Sequence, residues 1–255
     1  MSIWVTGDIH GNPVRFSTDN FYEQKGFSGN KDENVVIILG DFGIIWHREE
    51  TRQEKYLLDW LEEKPFTTIF VDGNHDNIPR LDTFPIKEWN GGLVNELRPH
   101  VLRLRRGEIF TIEDKKFFAF GGASSHDISD GILDYEDEDW RDKAKALDKQ
   151  GKYMYQIKGL SWWEHELPSE EEMQNGWNNL RKHNYKVDYI ITHSPSASVI
   201  ALLGHGLYNQ DILTTYLEEV RQKTEFNKHL CGHMHINYVV NDKDILLYEQ
   251  ISRIN

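Results

Sequence analysis

The sequence predicts an α/β fold, and three observations carry that expectation: short β-branched or aromatic runs recur along the chain, they run into polar motifs marked by glycine, and helical periodicity lies between them. Ile3-Trp4-Val5-Thr6 leads into Gly7-Asp8-Ile9-His10, Val35 to Leu39 into Gly40-Asp41, and Thr68-Ile69-Phe70-Val71 into Asp72-Gly73-Asn74-His75-Asp76. Further along, Lys116 to Phe120 leads into Gly121-Gly122, Tyr189 to Thr192 into His193-Ser194-Pro195, and Lys228 to Cys231 into Gly232-His233-Met234-His235. Runs this short and this apolar read as strands buried on both faces. Glu50 to Glu63 and Asp211 to Lys223 carry apolar residues at helical spacing, the second through Ile212, Leu213, Tyr216, Leu217 and Val220. Alternating strands and helices gather ligands at the carboxyl ends of the strands, so the polar residues converge on one rim.

Two segments need separate treatment. Asn237 to Asn241 and Ile245 to Glu249 flank Asp242-Lys243-Asp244, a loop length that suits a hairpin closing the sheet. From about Ser124 to Asn184 the chain is acidic and rich in tryptophan, with Trp140, Trp162, Trp163 and Trp177, and it lacks the strand-then-motif pattern. This segment reads as an insertion or cap on a single domain spanning residues 1–255. Within it, Ser169 and Glu172 match a capping box and predict a helix over Glu170 to His183.

Bulk properties narrow the function classes. With 38% hydrophobic and 28% charged residues the chain is an ordinary globular protein. A formal net charge of -13 opposes a broad duplex nucleic-acid groove, which needs a basic face, and leaves room for a small acidic cleft holding cations. The one cysteine, Cys231, excludes an internal disulfide and a Cys-rich zinc site, and its apolar run makes it a buried strand residue. No signal-like or membrane-spanning stretch is seen, so a cytoplasmic protein with no membrane partner is expected.

The chemistry lies at the strand ends. Asp8, His10, Asp41, Asn74, His75, His193, His233 and His235 supply the nitrogen and oxygen donors that borderline divalent metals accept. Five of the twelve histidines fall in this set, where random placement would scatter them. Asp8 and His10 are two apart, as are His233 and His235, so on an extended turn each pair can point one way and serve one site. The glycines before Asp8, Asp41, Asn74 and His233 allow positive φ or close backbone approach.

Together the blocks D-x-H, G-D, G-N-H-D, a lone H and G-H-x-H resemble the calcineurin-like metallophosphoesterases, over roughly residues 1–76 and 187–250. The resemblance implies a four-layer αββα sandwich and two divalent cations, manganese foremost with iron or zinc as options. It implies one cation held by Asp8, His10, Asp41 and His235 and a second by Asp41, Asn74, His193 and His233, with Asp41 bridging. His75 would face the substrate, stabilising the phosphoryl group or protonating the leaving oxygen, and Asp76 would orient and charge its imidazole. The implied reaction is hydrolysis of a phosphodiester or phosphomonoester by a metal-bridging hydroxide, on a small-molecule or single-stranded nucleotide substrate. Protein phosphatases of the family carry G-D-x-x-D-R-G, whereas Phe42-Gly43-Ile44-Ile45-Trp46 follows Gly40-Asp41 here. The phosphate-gripping arginine is absent, which moves the expectation away from phosphoproteins. A nuclease or cyclic-nucleotide phosphodiesterase, and a catalytically silent metal-binding scaffold, remain the rival readings.

Several residues stand beside this centre. Ser124-Ser125-His126-Asp127 follows a strand end on the same rim, so His126 or Asp127 is expected to line the pocket or to stabilise the loop. Trp162 and Trp163 read first as an aromatic core holding the cap, and second as a wall for a flat leaving group. Arg80 and His205 are left outside the site, and Arg103, Arg105 and Arg106 read as a solvated strand face.

Overall fold

The structure, a computed structural model, describes residues 2–204 and 210–254. His205 lies outside the described residues. The first half forms β1 (Ser2–Thr6), β2 (Asn34–Leu39), α1 (Arg52–Glu62), β3 (Thr67–Val71), α2 (Ile78–Leu81), β4 (Ile86–Trp89), β5 (Gly92–Arg98), β6 (Val101–Leu104), β7 (Glu108–Ile112) and β8 (Lys115–Phe120). Next come β9 (Gly131–Asp134), α3 (Trp140–Lys149), β10 (Tyr155–Lys158) and α4 (Glu170–Lys182). The last part holds β11 (Tyr189–Thr192), α5 (Ala197–Gly204), α6 (Ile212–Lys223), β12 (Lys228–Cys231), β13 (Tyr238–Val239), β14 (Asp244–Leu246) and β15 (Ser252–Arg253).

Two sheets form, in the orders β15-β1-β2-β3-β6-β5-β4 and β13-β14-β12-β11-β8-β7. At the centre of each, the motif-bearing strands run parallel: β1, β2 and β3 in the first, β8, β11 and β12 in the second. Side-chain alternation explains why these strands are apolar throughout. Val35, Ile37 and Leu39 of β2 pack toward Phe117, Ala119, Ile191 and Leu230 of the other sheet. Val36 and Ile38 face away, toward Leu58 and Leu61 of α1. On the second sheet Phe118, Phe120 and Ile190 turn outward onto Leu180 of α4 and Leu213 and Leu217 of α6. The result is two sheets face to face with helices on both outer sides, consistent with the metallophosphoesterase sandwich.

The helix ends follow local chemistry. Thr51 caps α1 through its Oγ1, and Ser169 with Glu172 forms the expected capping box of α4, worth about 1 kcal/mol. The hairpin around Asp242-Lys243-Asp244 forms as β13 and β14 and sits at one edge of the second sheet. The sequence expectations include a strand at Arg103, which is β6, but none for β4, β5 and β7; β4 is largely exposed and β5 shifts register between Glu96 and Arg98. Helix α4, inside the tryptophan-rich segment, joins the outer helix layer through Met173, Trp177 and Leu180. The rest of that segment holds β9 and β10, paired as a small separate sheet, and touches the strand-end rim through Ser125, His126 and Trp163.

The basic cluster corrects one expectation. Arg103 and Arg106 are buried, not solvated, and both grip the buried carboxylate of Asp72. Arg103 reaches Asp72 Oδ1 at 2.8 Å and Arg106 reaches Oδ2 at 2.6 Å. The partner is 31 and 34 residues away in sequence, so no local pattern reveals the pairing. Only Arg105 keeps a substantially open side chain. Burial alone would raise the Asp72 pKa, yet the two guanidinium groups hold it at about 2. Asp72→Asn removes the buried anion that both guanidinium groups share, leaving Arg103 with Asp82 and Arg106 with Glu172, and is expected to cost about 3 kcal/mol in denaturant unfolding. The depressed pKa makes this contribution complete above pH ~4, with loss as pH falls toward 2, so the gap between wild type and variant should narrow on acidification.

Candidate metal centre

The carboxyl ends of β1, β2, β3, β11 and β12 meet where the two sheets face each other, and the expected donors meet there. Asp8, His10, Asp41 and His235 form one cluster whose ligand atoms all lie within 4.8 Å of one another. His10 Nε2 stands 2.9 Å from His235 Nε2, and Asp8 Oδ2 stands 3.1 Å from His235 Nε2. Asp41 extends the arrangement inward: Oδ2 lies 3.8 Å from His10 Nδ1, while Oδ1 lies 3.3 Å from His193 Nε2. His193 Nε2 is also 3.3 Å from Asn74 Oδ1, and the His233 ring meets the His193 ring at 4.9 Å between centroids. The structure thus brings together all seven expected ligands, although His233 and His235 diverge onto different neighbours instead of serving one site as a pair.

The backbone explains that divergence. His10, Asp41, His233 and His235 all have positive φ, between 45° and 65°, so neither turn is extended; Asp8 and His10 still converge on one cluster, whereas His233 and His235 part. The expectation placed this freedom on the preceding glycines. All four glycines meet the expectation of positive φ or close approach: Gly40 is left-handed at 92°, and a Cβ at Gly7, Gly73 or Gly232 would lie 2.1 Å from Leu247 O, 2.1 Å from Asp41 Oδ1 or 2.3 Å from Asp8 Oδ1.

Hydrogen bonds set each donor. His193 Nδ1 donates to the Leu39 carbonyl at 2.8 Å, which leaves Nε2 facing Asp41 and Asn74. Asp8 Oδ1 accepts from the His233 backbone N–H, whereas the fully buried Oδ2 receives no well-aligned hydrogen bond among the described residues. A buried carboxylate oxygen whose near neighbour is an imidazole nitrogen 3.1 Å away without hydrogen-bond alignment, with a second imidazole converging on it, fits a cation. Asn74 Nδ2 points to Ser125 Oγ at 3.5 Å, and Ser125 in turn donates to Glu166 at 2.6 Å, which directs the Asn74 oxygen inward.

The electrostatics agree. Burial would lower the His193 pKa, but Asp41 and Asp8 more than reverse this and raise it to about 10. Burial would likewise raise Asp41, yet His193, His75 and His10 hold its carboxyl well below the usual range. Asp76 is pushed up to about 7 by burial and by Asp41, against the backbone N–H groups that favour its ionised form.

His75 lies at the mouth, half-buried, with its ring 5.3 Å from the His10 ring and stacked on Trp46 at 5.8 Å. The contacts of Asp76 differ from those expected. Its carboxylate accepts from the backbone N–H groups of Phe42, Gly43 and Gly73 and so pins the Asp41 loop to the Asn74 loop. Asp127 contacts Gln156 in the small sheet, and His126 lies against His233. Trp163 is buried edge-on against Trp46. Three participants have no counterpart in the sequence expectations: Trp46, Glu166 and Arg15, which ties Asp8 O to Tyr248 O at 2.7 and 2.6 Å. Arg15 stands seven residues after Asp8, within one loop, and that proximity is its only sequence signal.

Cation binding must displace the proton held on His193 Nε2. For the metal-free protein, apparent affinity is therefore expected to rise by about tenfold per pH unit between roughly pH 7 and 9, with release of about one proton. Calorimetry in buffers of different ionisation enthalpy measures that proton; a pH-independent affinity without proton release would contradict the arrangement.

The profile described as calcineurin-like phosphoesterase matches residues 1–237. A search of curated protein sequences gives no match. Among solved structures, the chain is similar to phosphopantetheinyl hydrolase from Mycobacterium tuberculosis, at 12% identity and TM-score 0.44 over 97% of this chain and 88% of that one. It is also similar to a protein described as a prospective 5′-nucleotidase from Staphylococcus aureus, in complex with α-ketoglutarate. There the identity is 15% and the TM-score 0.42, over 99% of this chain and 50% of that one. With the profile spanning most of the sequence, the chain belongs to the calcineurin-like phosphoesterase family.

Proposed function

We propose that this chain hydrolyses a phosphodiester or phosphomonoester at a dinuclear centre. The observation that carries the reading is the position of Asp41, whose two carboxylate oxygens each face a different donor set. Asp8, His10, Asp41 and His235 would hold one cation, and Asp41, Asn74, His193 and His233 the other. Manganese is the first choice, and iron or zinc also suits imidazole and carboxylate donors. When bound, the two cations supply Lewis acidity toward the phosphoryl oxygens and lower the pKa of a water enough to make it a nucleophile at neutral pH.

The chain's own residues do the rest. His75, at the mouth, stabilises the phosphoryl group or donates a proton to the leaving oxygen, and its stacking on Trp46 limits ring rotation. Asp76 contributes by fixing the loops that carry Asp41 and Asn74. Residues 1–255 act as one domain, and within the acidic, tryptophan-rich stretch from about 124 to 184 the part before α4 is the cap. The substrate is a small molecule or a single-stranded nucleotide, since the -13 net charge disfavours a long polyanion. The single buried Cys231 suits the cytoplasm, and no helix among the described residues is long and apolar enough to cross a membrane.

After manganese reconstitution, bis-p-nitrophenyl phosphate and p-nitrophenyl phosphate are expected to be hydrolysed at unequal rates, and their ratio assigns diesterase or monoesterase preference. Hydrolysis of neither, with both cations bound, would favour a silent scaffold. His75→Asn should keep its metal content by elemental analysis while kcat falls by roughly 10²- to 10⁴-fold. Full activity in that variant would remove His75 from the mechanism.

A further inference from the structure

One histidine outside the five motif blocks lies against the centre. His126, in the loop after β8, places Nε2 2.8 Å from Nε2 of His233, with ring centroids 4.8 Å apart. The same approach occurs at the other end of the centre, where Nε2 of His10 and Nε2 of His235 are 2.9 Å apart within the metal-competent cluster. Two imidazole nitrogens come this close either when one donates its proton to the other or when both lone pairs converge on a cation. With metal–nitrogen bonds of about 2.0–2.1 Å, two imidazoles at right angles on one cation stand about 2.9 Å apart.

We propose that His126 is an additional ligand of the second subsite, bringing a third imidazole to the cation held by Asp41, Asn74, His193 and His233. The inference rests on the dinuclear reading above. Its independent support is the construction of the loop. Ser125, the preceding residue, donates both its N–H and its Oγ to the buried Glu166 carboxylate, at 3.1 and 2.6 Å. The same Ser125 Oγ receives Asn74 Nδ2, so the His126 loop is tied to the amide that serves the same subsite. A subsite with three imidazoles is richer in nitrogen than its neighbour, and it selects zinc, iron or cobalt over magnesium or calcium.

The test is a titration of the metal-free full-length chain with cobalt(II), followed by calorimetry and by visible absorption. Wild type should take up two equivalents. His126→Ala should bind the first as before and the second ~10-fold or more weakly, with a changed absorption band for that step and partial restoration by free imidazole. His126→Gln, which keeps side-chain bulk, provides the decisive measurement if the alanine variant loses its circular dichroism. An unchanged second step in affinity and spectrum overturns the assignment, as does loss of turnover with that step intact, which would make His126 a substrate contact. Wild type binding fewer than two equivalents fails at an earlier point and overturns the dinuclear reading itself.

Discussion

The site depends on one buried contact, that of His193 with Asp41. His193 comes directly after β11 in one sheet and Asp41 just after β2 in the other, and their buried side chains meet at 3.3 Å. The Leu39 carbonyl accepts from the other face of the same imidazole, so a single ring is anchored to both ends of the β2 turn. Space for the ring exists only because position 40 is glycine: a Cβ there would lie 2.2 Å from His193 Nδ1. The inter-sheet core of Val35, Ile37, Leu39, Ile191 and Leu230 holds these strand ends in register, and apolar packing thereby sets a polar distance.

Much of this is legible in the sequence, for a definite reason. Strands buried on both faces must be apolar throughout, so Val35 to Leu39 and Tyr189 to Thr192 announce themselves, and the residues just beyond them must lie on the rim. The donors are legible because each sits within a few residues of such a strand end. Strands β4 and β5 escape because half-exposed, irregular pairing leaves no continuous apolar run, and β7 because the exposed Thr111 interrupts its buried residues. Arg103 and Arg106 mislead because a buried arginine and a solvated one look alike until the distant carboxylate is placed. The contacts of Asp76 also differ from expectation, since acceptance from backbone N–H groups carries no side-chain signature.

Asp72 and its two arginines connect the parts of the molecule. Asp72 ends β3 and immediately precedes the Gly73 to Asp76 loop, and Arg106 also donates to the carbonyl of His165 at 2.9 Å. The segment above the rim is therefore attached to the centre by buried ionic hydrogen bonds as well as by Trp163 against Trp46. Glu166, next along that segment, reaches Asn74 through Ser125. A change at Glu166 in the tryptophan-rich segment therefore reaches the amide of Asn74 through Ser125.

The left-handed backbone at His10, Asp41, His233 and His235 has a consequence for how such a centre persists. Each non-glycine residue in that region costs on the order of 1–3 kcal/mol, and glycine would relieve it. At His10, His233 and His235 glycine would relieve that strain and remove a donor in the same change, whereas at Asp41 it would also take away the buried partner of His193.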